Sequence, residues 1–111
     1  MIELLVRELI KEGFDASNAM TGKDALDKFR ETKPDLILLD LLLPDQHGFE
    51  VLRQIRRDPE GQTTKVMVLS NLSEDRDKEE AKRLGVLEYL VKANNSLPEI
   101  VARVKALVRS M

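Results

Sequence analysis

KPDLILLDLLLPDQHG, residues Lys33 to Gly48, decides how this chain folds, because it places one carboxylate, Asp40, at the end of an otherwise apolar run. Leu36, Ile37, Leu38 and Leu39 follow a Pro34-Asp35 start and read as a strand buried on both faces, the kind that parallel sheets use. Pro44 and Gly48 then end the extended run. In open parallel α/β sheets, ligands bind beyond the carboxyl ends of the strands, so Asp40 falls where chemistry is expected.

Working outward, residues 2 to 12 place Ile2, Leu5, Val6, Leu9 and Ile10 at helical spacing, and Gly13 stops the helix. Phe14 to Ala19 reads as a short, partly polar strand. Thr21 caps a second helix, TGKDALDKFRET, with Ala25, Leu26 and Phe29 facing inward. After the central strand, Gly48 to Arg57 is helical on Phe49, Leu52 and Ile55, and Asp58-Pro59-Glu60-Gly61 closes it as a turn. Val66 to Leu69 forms a further apolar strand ending at Ser70, and Ser73 is expected to cap the charged helix EDRDKEEAKRLG, stopped at Gly85. Val86 to Val91 is the last strand, ending at Lys92, and Leu97 to Val108 is a closing helix. Strands alternating with helices in this way predict right-handed crossovers and a three-layer α/β fold, a parallel sheet of four strands with helices on both faces.

The chain has 111 residues, the size of one domain. Lys and Arg number 18 against 20 Asp and Glu, and their interspersion predicts neither nucleic-acid binding nor an acidic tail. No cysteine is present, which excludes thiolate chemistry and fits a reducing, cytoplasmic setting. The longest apolar run, Leu36 to Leu43, is broken by Asp40 and falls short of the roughly 20 residues of a membrane span. The acid-containing N-terminus lacks the pattern of a secretory signal.

Because parallel strands end on one edge of the sheet, Asp40, Ser70 and Lys92 are expected to converge. A carboxylate can attack phosphorus, a hydroxyl can donate to the transferred group, and an ammonium can neutralise its charge, which together suit phosphoryl transfer. Taken singly, Asp40 reads equally as a turn or cap residue before Pro44, Ser70 as a helix-entry residue, and Lys92 as a solvated loop charge. Their placement at the ends of three separate strands favours a site.

With Pro34-Asp35, Asp40, Pro44, Gly48, Ser70 after VMVL, Gly85 before VLEYLVK, and Tyr89 three residues before Lys92, the chain closely resembles the receiver domain of bacterial response regulators, a flavodoxin-like fold. The resemblance implies Asp40 as phosphoacceptor, Ser70 as switch hydroxyl, Lys92 as phosphoryl contact and Tyr89 as switch aromatic. It also implies a histidine kinase or phosphotransfer protein as phosphodonor, an output partner, and a signalling rather than an enzymatic role. The family's first, central strand and the acid pair that holds Mg²⁺ have no counterpart after Met1, so the reading is a receiver over 1–111 lacking that strand, with no output domain. Asp40 and the Leu42 backbone carbonyl would then be the metal ligands, and they should hold Mg²⁺ weakly. The sheet gap is expected to close by pairing Phe14–Ala19 with the Asp35–Asp40 strand or by a partner chain, for example in a strand-exchanged homodimer; otherwise the chain would stay largely unfolded. Ala93 stands where the family usually has proline, putting a cis peptide there in question. Leu42 and Leu72 are expected to flank the site and to slow hydrolysis of an acyl phosphate. His47 reads as an exposed loop residue. A phosphorylation-independent interaction module on the same scaffold is the alternative. An aspartyl phosphohydrolase is disfavoured because Leu42 stands where such enzymes carry a second acid.

Overall fold

A computed structural model describes residues 2–109. Its helices are α1 (Ile2–Lys11), α2 (Gly22–Thr32), α3 (Gly48–Arg57), α4 (Asp75–Arg83) and α5 (Leu97–Arg109). Its strands are β1 (Leu36–Leu39), β2 (Lys65–Ser70) and β3 (Glu88–Val91), and single 3-10 turns follow α3 and β3. The three strands pair in parallel, in the order β1-β2-β3, and one isolated antiparallel bridge joins Leu42 to His47.

The apolar stretch Val66–Leu69 of β2 serves both faces, as a central parallel strand must. Met67 and Leu69 point into one cluster with Leu5 and Leu9 of α1 and Ile100, Val101 and Val104 of α5. Val66 and Val68 point into the opposite cluster with Phe49 and Leu52 of α3 and Ala81 of α4. Leu26 and Phe29 of α2 pack on Val51 and Ile55 of α3 beside it. The result is three layers, with α1 and α5 below the sheet and α2, α3 and α4 above. The register aligns Leu39 with Val68 and Val68 with Tyr89, so all three strands deliver their carboxyl ends to one edge.

Four expectations are corrected. The sheet has three strands among the described residues, not four, because Phe14–Ala19 is extended but unpaired. The segment keeps a strand's alternation, with Phe14 and Ala16 against the α1/α5 cluster and Asp15 and Ser17 exposed. Among the described residues it pairs with no strand, β1 included, and β1 pairs only with β2. The charged helix begins at Asp75 with Glu74 in the cap position and no side-chain cap bond, so Ser73 does not cap it. Asp75 and Asp77 in its first turn complement the helix dipole instead. The last strand starts at Glu88 rather than Val86, because the Val86 amide is taken by the Ala81 carbonyl at the end of α4. In α1 only Leu5 and Leu9 are buried; Ile10, read as part of the apolar face, is exposed.

Candidate functional site

Asp40 leaves the end of β1 with a side chain about one-quarter exposed, and Lys92 leaves the end of β3 similarly placed. The Lys92 ammonium donates to Asp40 Oδ2 at 2.5 Å, joining residues 52 apart in sequence. Asp40 Oδ1 accepts from the Leu42 amide at 3.1 Å, so both carboxylate oxygens are engaged in fixed directions. The turn carrying Lys92 is fixed in its own right. Asn95 Nδ2 donates to the Val91 carbonyl at 2.8 Å, and the Ala93 amide donates to Asn71 Oδ1 at 3.0 Å. No cis peptide occurs among the described residues, Lys92-Ala93 included.

Ser70 ends β2, between the two, and is fully buried. Its hydroxyl oxygen accepts from the Leu72 amide at 3.3 Å and bonds to neither Asp40 nor Lys92. Tyr89, on β3, donates its hydroxyl to the Leu72 carbonyl at 2.6 Å. Burial, with Asp77 nearby, raises the Tyr89 pKa, so the phenol stays protonated and able to donate. Ser70 and Tyr89 therefore grip the two sides of one backbone residue. Sequence reading missed this, and only the β2–β3 register could have revealed it.

The loop after Asp40 is closed tightly onto α3. The Gly48 amide donates to the Leu41 carbonyl at 2.9 Å, and a Cβ on Gly48 would lie 2.5 Å from the Asp40 carbonyl oxygen. His47 is exposed, as expected, but it also caps α3: its Nδ1 accepts from the Phe49 amide at 3.0 Å. Its position immediately before the first helical residue was the available signal. Of the two leucines expected to flank the site, Leu42 is 64% exposed, whereas Leu72 packs into the cluster under α3 and α4. Leu72 is thus partly buried against that cluster, whereas Leu42 lies in solvent.

A crevice of about 70 Å³ borders Asp40 and Lys92, lined also by Ile2, Leu5, Leu38 and Leu69. A larger groove of about 480 Å³, between α1 and α5, does not reach Asp40. Among the described residues no three His, Asp or Glu side chains cluster in a way that could hold a metal ion. Mg²⁺ prefers six oxygens in near-octahedral array. One carboxylate already bound by an ammonium, with a backbone carbonyl at Leu42, does not meet that demand.

The sequence profile of the response regulator receiver domain matches residues 1–105. The phosphate regulon transcriptional regulatory protein PhoB of Rhizobium meliloti is 35% identical over 106 residues, covering 96% of this chain and 46% of that protein. The chain thus spans about half the length of that relative. Among solved structures, the signal receiver domain of a LuxO repressor protein from Vibrio parahaemolyticus superposes with a TM-score of 0.87 at 25% identity, covering 97% of this chain and 81% of that one. The beryllofluoride-activated receiver domain of Klebsiella pneumoniae RstA gives 0.83 at 25% identity, with 96% and 88% covered.

Proposed function

The chain belongs to the response regulator receiver domain family, and we propose that it is a phosphoacceptor module that takes a phosphoryl group on Asp40 from a histidine kinase or phosphotransfer protein. Receiver domains are signalling modules of two-component systems; cytoplasmic action and control of an output partner are part of this reading. The observation that carries it is the Asp40 carboxylate at a strand end with the Lys92 ammonium on one oxygen.

In this reading an Asp40 oxygen attacks the phosphorus of a phosphohistidine. A P–O bond forms as the P–N bond breaks, and the imidazole leaves with the electron pair and takes up a proton. Lys92 exchanges its carboxylate partner for a phosphoryl oxygen. The product carries about −1.5 to −2 charges at pH 7. Ser70 accepts at Leu72, so its own proton is available to donate to the phosphoryl group. Any shift of Ser70 acts on the residue that holds the Tyr89 hydroxyl, which supplies a route to the surface.

Receivers typically bind Mg²⁺, and the donor set among the described residues is poor for it. Slow phosphorylation of this chain is therefore expected, and the same observation favours, as a second reading, a module that binds partners without phosphorylation. A Mg²⁺ titration with beryllofluoride, an acyl-phosphate mimic, followed through the amide resonances of Ser70, Tyr89 and Lys92, separates the two. Weak but saturable shifts, reached only at high Mg²⁺ and vanishing in Asp40→Ala, are the expected result. A dispersed but silent spectrum would select the phosphorylation-independent module.

A further inference from the structure

The loop between Asp40 and α3 is held by a side chain that the phosphoacceptor chemistry does not use. A helix begins with amide groups that have no partner inside the helix. In α2 the Thr21 hydroxyl accepts from the Asp24 amide at 3.0 Å. The amides of Gly22 and Lys23 donate instead to the two oxygens of Asp45, at 2.8 and 3.1 Å, from 23 and 22 residues away in sequence. These are charge-assisted bonds at the positive end of a helix dipole. The Gly22 amide is the main cause that holds the Asp45 carboxyl below the usual carboxylate range.

The fit at this junction is close. A Cβ on Gly22 would come within 2.6 to 2.8 Å of the Gln46 side chain, so the glycine lets the loop lie directly on the helix end. Gln46 Oε1 accepts from Gln54 of α3 at 3.1 Å, and Leu43 packs between α2 and α3. Leu42, Pro44 and Asp45 are exposed, so little burial holds the tip of the loop in place. Its base is tied by the Gly48–Leu41 bond and an antiparallel bridge between Leu42 and His47, its far side is anchored to α2 by the Asp45 bonds, and the same loop carries the Leu42 amide that directs Asp40 Oδ1.

We propose that Asp45 is a positioning residue for the phosphoryl site: by clasping the start of α2 it fixes the loop that orients the Asp40 carboxylate. The inference rests on the reading of Asp40 as phosphoacceptor. Asp45 touches neither Asp40 nor Lys92, so its influence passes through the loop backbone.

Two variants remove comparable contacts from the same helix end. Asp45→Ala releases the loop; Thr21→Ala removes the cap but leaves the loop clasped. Thermal melting should fall by a similar few degrees in both, as for a lost helix cap. Beryllofluoride with Mg²⁺, titrated against the full chain and read at the Leu42 and Lys92 amides, should bind about five- to tenfold more weakly to Asp45→Ala. Asp45→Asn, which keeps one acceptor oxygen, should recover part of that loss, and Thr21→Ala should bind within about twofold of the parent. Equal weakening in Asp45→Ala and Thr21→Ala would reduce Asp45 to a stability residue and overturn the inference. So would unchanged binding in Asp45→Ala beside a responsive parent chain, with the phosphoacceptor reading intact. A parent chain with no Asp40-dependent response would instead remove that reading, and this inference with it.

Discussion

The two ends of α3 are held in opposite ways. At its carboxyl end the Arg56 guanidinium donates to four backbone carbonyls: Gly61 and Thr64 at 2.7 Å, Leu84 at 2.9 Å and Gly85 at 3.4 Å. Burial pulls the Arg56 pKa down from its ordinary value, but an arginine stays charged in proteins, so this grip is permanent. At its amino end α3 meets the Asp40 loop, held by the Asp45 carboxylate, the His47 ring and the close approach of Gly48. Backbone carbonyls cannot be exchanged for a ligand, whereas a carboxylate–ammonium pair such as Asp40–Lys92 can be opened by an incoming anion. The difference assigns stability to one end of a single helix and adjustability to the other.

The harshest way to break this contrast is Arg56→Ala. It strands several carbonyls and should cost about 2–4 kcal/mol in denaturant unfolding. The beryllofluoride response of the folded fraction should be preserved; a lost response at full folding would mean the carboxyl end also tunes the site. Gly48→Ala probes the amino end, where the new methyl would press on the Asp40 carbonyl and lie 2.8 Å from Leu41 Cα. We expect a loss of about 1–3 kcal/mol together with a weakened response at Asp40. A destabilised variant with normal binding would show that the loop geometry tolerates displacement.

The smallest effect is pH dependence. Asp45 titrates below its ordinary value of 3.8, chiefly through the Gly22 amide, and Glu80 below its ordinary 4.5, chiefly through Arg53 and then Arg83. Folded values below unfolded ones mean a contribution that is whole above the ordinary values and lost as pH falls through the lowered ones. Asp45 is exposed and Glu80 about one-quarter exposed with its arginine partners largely in solvent, so the expected signature is a modest fall in melting temperature below about pH 4, shallower in Asp45→Ala. An unchanged slope in that variant would remove Asp45 from the set of groups responsible.

Much of this fold was legible because it depends on local pattern. The runs at Leu36–Leu39 and Val66–Leu69 had one reading, and the structure places strands there. Phe14–Ala19 carried the alternation of a strand without a neighbour to pair with, and pairing is not a local property. Ser73 looked like a cap by type, yet the chain enters α4 one residue later. Leu72 looked like a flank of the site by its distance from Ser70, yet the apolar cluster beneath α3 and α4 claims it.

The sequence by itself determined the alternation of helices and strands, the parallel sheet and the choice of Asp40, Ser70 and Lys92 as the residues at its carboxyl edge. These follow from periodicity and from the rule that parallel strands end together. Tertiary structure alone decided that Lys92 closes on Asp40 across a buried β2, and that Ser70 and Tyr89 share Leu72. It also decided that Asp45 reaches back to the start of α2. Each of these bonds joins elements whose separation is set by packing and register, and no local spacing encodes it.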